Sequence, residues 1–85
     1  MRSFVYTVKD ELGLHARPAG MLVRLVQTLG DRVQIRKGDR AVDGTRLLAL
    51  MGLGIRCRDT VTVEIEGENE ETSERSLREF FEKNL

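Results

Sequence analysis

At 85 residues the chain has room for one small hydrophobic core, so residues 1–85 read as a single domain. Its 14 basic and 14 acidic residues cancel, which removes the global field that nucleic acid or anionic lipid would follow; one histidine and one cysteine rule out a zinc cage and an internal disulfide. No apolar run is long enough to span a membrane and Met1-Arg2-Ser3-Phe4 carries no secretory apolar region; with Cys57 alone fitting a reducing compartment, the expected location is the cytoplasm.

The first strand is expected from about Ser3 to Val8, with Phe4, Tyr6 and Val8 alternating onto one face. A loop from Lys9 to Leu14 leads to the chain's one histidine, His15, and its one proline, Pro18. The first helix is expected from about Ala16 to Thr28. Ala19, Leu22, Val23, Val26 and Leu29 form its apolar stripe, and Gly30 supplies the stop. Pro18 falls in the first turn, where its missing N–H costs nothing and its fixed φ suits a helix.

His15 therefore stands where free backbone N–H groups and the positive helix end face outward, a ready site for an anion. An imidazole ordinarily titrates near pH 6.5 and can act as a nucleophile around neutrality. Arg17 adds a planar donor fork matched to phosphate. A cation is unfavourable at a helix N-terminus unless an anion visits, so Arg17 makes local sense with phosphate bound. The backbone N–H groups of Ala16 and Arg17 are the expected phosphate donors. Together these residues point to a histidine that carries a phosphoryl group.

Further on, Val33 and Ile35 alternate with Gln34 and Arg36 in a second strand. Lys37-Gly38-Asp39-Arg40 reads as a hairpin turn, and Ala41-Val42 as a short third strand. A short helix is expected from Thr45 to Met51, closed by Gly52 and Gly54, which read as turn and close-approach residues. It is apolar on nearly every side. A short surface helix cannot bury all of them, so Leu47, Leu48 or Met51 should be partly exposed, and exposed apolar groups on a small protein mark a partner surface. Thr60 to Glu66 is the fourth strand, with Val61, Val63 and Ile65 on one face. The last helix follows Gly67, with Asn69 as its cap, Glu70 and Glu71 in its first turn and Leu77, Phe80 and Phe81 on its apolar face. The order βαββαβα, with one-faced strands and amphipathic helices, predicts an α+β fold of two layers.

The segment Gly13-Leu14-His15-Ala16-Arg17-Pro18-Ala19 resembles the active-site signature of HPr, the histidine-containing phosphocarrier family of the bacterial sugar phosphotransferase system. Met51-Gly52-Leu53-Gly54-Ile55 resembles a second landmark of that family, in register with the first. The resemblance implies an open-faced sandwich, a four-stranded antiparallel sheet with three helices on one face. It implies that His15, through Nδ1, accepts a phosphoryl group from enzyme I, which phosphoenolpyruvate charges. The group then passes to sugar-specific EIIA-type acceptor domains. The chain would be a monomeric carrier, a covalent intermediate in its partners' reactions rather than an enzyme, with no cofactor, metal, nucleic acid or inserted membrane segment.

In the family, the start of the first helix and the short helix form the docking face. Here that assigns Leu47, Leu48, Met51, Arg24, Gln27 and Arg46 to partner binding. Two residues depart from the pattern. Leu12 stands where the family tends to a small polar residue beside the histidine. Arg46 stands where many members carry a regulatory serine, so control by a serine kinase is not expected; neighbouring Thr45 would point about 100° away around a helix. The alternative is a regulatory HPr-like protein acting on a transcription factor or enzyme. Regulatory relatives tend to lack the histidine, so its retention favours transfer. An RNA-binding sandwich would need aromatics on an open sheet face, whereas Phe4 and Tyr6 fall on the expected core face.

Overall fold

Alternation in the strands decides which side of the sheet the helices cover. The computed structural model describes residues 1–85 in the order β1 (Arg2–Thr7), α1 (Ala16–Leu29), β2 (Arg32–Lys37), β3 (Arg40–Asp43), α2 (Leu47–Gly52), β4 (Thr60–Glu66) and α3 (Glu70–Asn84). The strands form one antiparallel sheet in the order β1-β4-β2-β3. Phe4 lies opposite Val63, Val63 opposite Ile35, and Ile35 opposite Val42, so one row of apolar side chains crosses all four strands. Residues one position away, among them Ser3, Val5, Thr62, Glu64 and Gln34, point to the other face and stay exposed or half-buried.

The three helices bury their stripes on the apolar face. Ala19, Leu22 and Val26 of α1, Leu50 of α2, and Leu77 and Phe81 of α3 join the strand residues in one cluster of 17 buried hydrophobic residues. Phe81 sits at the centre of an aromatic group, its ring centroid 5.9 Å from that of Phe4 and 5.4 Å from that of Tyr6, both edge-on. Tyr6 and Phe4 thus belong to the core, and the open face carries no aromatic platform.

The element boundaries shift by a residue or two from expectation, as helix and strand ends do. The hairpin loop is tighter than Lys37–Arg40, because those two residues pair with each other and leave Gly38-Asp39 as the loop. Helix α2 is shorter than expected. It starts at Leu47, not Thr45, because the Asp43 carboxylate accepts both the Thr45 amide (2.8 Å) and the Thr45 hydroxyl (2.6 Å) and folds those residues into a turn of their own. Arg46 is then the N-cap, extended at φ −105° and ψ 100°. Thr45 lies outside the helix, so the helical-wheel separation expected between residues 45 and 46 does not apply. The Thr45 hydroxyl and then its amide hold the Asp43 carboxyl below its ordinary pKa.

Asn69 occupies the N-cap position of α3 but its side chain caps nothing. The start of the helix is tied down instead by Asp31, in the turn between α1 and β2. Its buried carboxylate accepts the Asn69 amide at 3.2 Å and the Ser73 hydroxyl at 2.7 Å. Gly67 lies against this carboxylate so closely that a Cβ there would overlap it. A hydrogen bond to a charged group is worth about 1.5–3 kcal/mol, and leaving a buried donor unpaired costs about 1–3 kcal/mol. Asp31→Ala is expected to destabilise the fold by about 2 kcal/mol, read as a lower urea midpoint at unchanged slope; a midpoint shift equivalent to less than about 0.5 kcal/mol would show that water replaces the carboxylate at no cost.

Candidate functional site

His15 is the N-cap of α1, with extended backbone at φ −92° and ψ −176°. Its carbonyl accepts the Ala19 amide at 3.0 Å and so closes the first turn. Its imidazole makes no capping bond, is half-buried, and remains free for chemistry. Ala16 and Arg17 are the first two helical residues, where amides have no carbonyl one turn back to bind. Pro18, next, brings no amide and is buried as a wedge under the turn. The first turn holds no acidic residue. Arg17 is exposed and takes part in none of the chain's ion pairs.

These residues open onto a shallow depression lined by His15, Arg17, Pro18, Met21 and Asn84. The helix dipole, two unpaired amides and a guanidinium all favour an anion there. Met21 and Asn84 were not visible as site residues in the sequence. Asn84 arrives from the far end of α3, held by its Nδ2 bond to the Phe80 carbonyl (3.0 Å) and by bonds from the Lys9 and Asp10 amides to the Leu85 carbonyl.

The loop that delivers His15 is fixed by backbone. The Leu14 amide donates to the Ile55 carbonyl at 3.0 Å, and the His15 amide to the Gly13 carbonyl at 3.1 Å. Gly13 takes φ +66°, and a Cβ there would come within 2.4 Å of the Ile55 oxygen and 2.8 Å of the Arg56 Cα. The close approach expected of Gly52 and Gly54 thus belongs to Gly13; nothing lies within 4 Å of a Cβ at either of those positions. Leu12 is 72% exposed and offers the site no hydrogen bond through its side chain. Cys57 is half-buried, its Sγ 3.5 Å from the Lys9 carbonyl, a filler between the two loops.

Helix α2 divides as its composition requires. Leu50 is fully buried, whereas Leu47 is 39% exposed, Met51 40% and Leu48 84%. Arg24 and Gln27 on α1 and Arg46 before α2 are exposed too. Neither α1 nor α2 contains an acidic residue, so Arg17 and Arg24 have no anion on their own helix, whereas Arg46 has the Asp43 carboxylate nearby.

Residues 2–83 match the family model for the PTS HPr component phosphorylation site. The chain belongs to the HPr family. Phosphocarrier protein HPr of Lysinibacillus sphaericus is 32% identical over 77 residues, which are 91% of this chain and 88% of that one. The multiphosphoryl transfer protein of Xanthomonas campestris pv. campestris is 39% identical over 64 residues, 75% of this chain but 8% of that much longer protein. Among solved structures, HPr-C-His from Thermoanaerobacter tengcongensis superposes with a TM-score of 0.92 at 26% identity, covering 98% of this chain and 93% of that one. The four-stranded antiparallel sheet with three helices is the HPr fold, and members of the HPr family are phosphocarriers of the phosphotransferase system. No helix is long and apolar enough to cross a membrane.

Proposed function

We propose that this chain is a cytoplasmic, monomeric phosphoryl carrier that works between enzyme I and EIIA-type acceptor domains, with His15 as the phosphoacceptor. The observation that carries the reading is the free imidazole of His15 at the start of α1, beside an unpaired Arg17 and the open amides of Ala16 and Arg17. A ring nitrogen lone pair of His15, at Nδ1, attacks phosphorus as the bond from phosphorus to the donor atom of enzyme I breaks and that atom keeps the electron pair. The negative charge on the three peripheral oxygens spreads over the Arg17 fork and the two amides. Transfer to an acceptor histidine runs the same step with His15 as leaving group. The chain supplies a nucleophile, an anion cradle and a docking face, and the energy comes from phosphoenolpyruvate through the partner.

The test is incubation with enzyme I and phosphoenolpyruvate, followed by mass measurement. A gain of one acid-labile phosphoryl group supports the reading. A folded chain that gains none overturns it and leaves a regulatory binding role. A hydrogen bond to a charged group is worth about 1.5–3 kcal/mol, so Arg17→Ala is expected to slow transfer by roughly tenfold or more. Unchanged transfer with a large loss of thermal stability would make Arg17 structural instead.

The docking face in this reading is Leu47, Leu48 and Met51, flanked by Arg24, Gln27 and Arg46, and it fits an acidic-rimmed apolar partner surface. Leu48→Asp is expected to weaken enzyme I association at least tenfold while moving Tm by no more than about 4 °C, as surface substitutions do. Chemical-shift mapping that shows no change around α2 on adding enzyme I would refute the assignment. The same change at Leu50 would unfold the core and test nothing about docking.

A further inference from the structure

Three groups of the chain converge on the turn that supports the His15 loop, and the chemistry of His15 uses none of them directly. Lys37, at the end of β2, donates from Nζ to the Gly54 carbonyl at 2.8 Å and pairs with Asp59 Oδ2 at 2.9 Å. The same Oδ2 accepts the Arg56 amide at 2.8 Å. The Asp59 amide returns to the Arg56 carbonyl at 3.0 Å, and the Asp59 carbonyl accepts the Val8 amide at 2.9 Å. One carboxylate and one ammonium thus close the turn from residue 56 to residue 59, in which Arg58 takes φ +76°. A side-chain-bearing residue in the left-handed region persists only where its surroundings hold it. The upstream edge of this turn is the surface on which Gly13 and Leu14 rest: the Ile55 carbonyl takes the Leu14 amide, and Ile55 and Arg56 backbone atoms abut Gly13. His15 is the next residue.

We infer that Lys37, through Asp59 and the Gly54 carbonyl, is a positioning residue for His15, clamping the turn that fixes the posture of the phosphoacceptor loop. The inference rests on the reading of His15 as the phosphoacceptor. Lys37 reaches no phosphate and touches no reacting atom. Its effect passes through Gly54, Asp59 and Ile55 to Leu14. The Arg56 amide, and then Lys37, hold the Asp59 carboxyl below its ordinary pKa.

The test compares Lys37→Met, which removes both bonds, with Lys37→Arg, which keeps a cationic donor. Two quantities are read: the initial rate of phosphorylation by enzyme I and phosphoenolpyruvate, and amide hydrogen exchange at Leu14 against Val63 in the sheet. In Lys37→Met the Leu14 amide is expected to exchange about fivefold faster and phosphorylation to slow by a similar factor, the upper range for a solvent-exposed ion pair. Val63 exchange stays as it was, and Lys37→Arg restores most of both losses. Unchanged Leu14 exchange overturns the inference, and so does equal acceleration at Leu14 and Val63, which would mark general destabilisation. Faster Leu14 exchange with undiminished phosphorylation also overturns it. Should the unaltered chain take no phosphoryl group at all, the carrier reading falls, and Leu14 exchange alone then decides whether Lys37 sets the loop.

Discussion

His15→Ala is expected to fold as the parent does and to accept no phosphoryl group. The imidazole makes no capping bond, so its loss leaves no orphaned partner at the helix start. The backbone carbonyl that closes the first turn onto Ala19 is retained. Thermal unfolding should therefore change by an amount equivalent to about 0.5 kcal/mol or less. Transfer, by contrast, loses its nucleophile outright. The anion cradle of Arg17 and the open amides survives and holds nothing covalently. Mass measurement after incubation with enzyme I and phosphoenolpyruvate should show the unmodified mass alone. Undiminished labelling in this variant would move the phosphoacceptor elsewhere and sink the proposed function.

Gly13→Ala is expected to be far more damaging than the addition of one methyl group usually is. The left-handed φ of +66° costs a residue with a side chain about 1–3 kcal/mol wherever it occurs. Here the added Cβ also meets rigid backbone, the Ile55 oxygen at 2.4 Å and the Arg56 Cα at 2.8 Å, neither of which can swing aside as a side-chain end would. The loop must lift off the residue 55–56 segment and break the bond from the Leu14 amide. A Tm lowered by about 10 °C or more follows, and phosphorylation should slow more than in any variant that leaves the loop in place, other than His15→Ala. Gly38→Ala is the control. Gly38 also has a left-handed φ, of +59°, but a Cβ there meets nothing within 4 Å, so it carries the conformational cost without the collision. Equal losses in the two variants would show that the contact with residues 55–56 is unimportant.

The features that repeat were readable from residue order. Val61, Val63 and Ile65 alternate, and all three are buried on the inner face of β4. The stripe on α1 holds at Ala19, Leu22 and Val26, and the crowding of apolar residues on α2 translates into an exposed Leu48 above a buried Leu50. What stayed hidden depends on distant partners. Asn69 has a favoured capping side chain, yet it caps nothing, and its backbone amide is held by Asp31, 38 positions earlier. No local pattern announces that. Gly13 was visible as part of a motif, but the reason for glycine lies in residues 55 and 56. The late start of α2 has a local signal in the sequence: Asp43-Gly44-Thr45 is the composition of a side-chain-closed turn, and Asp43 closes it. Lys37 reads as one cation among 14 until Gly54 and Asp59 fold back to meet it.

The strand order carries a consequence for the birth of the molecule. Strand β1 pairs only with β4, so Phe4 waits for Val63, about 60 positions later, before it has a neighbour. Leu14 likewise waits for Ile55. At a ribosomal pace of about 5–20 residues per second, the first strand is without a partner for roughly 3–12 s. Over that interval α1 can coil locally, but the loop in front of it has nothing to rest on and the sheet beneath it has no first strand. A nascent chain can therefore expose His15 long before the loop that fixes it is built, and in the proposed function it would take up a phosphoryl group only once β4 has left the ribosome.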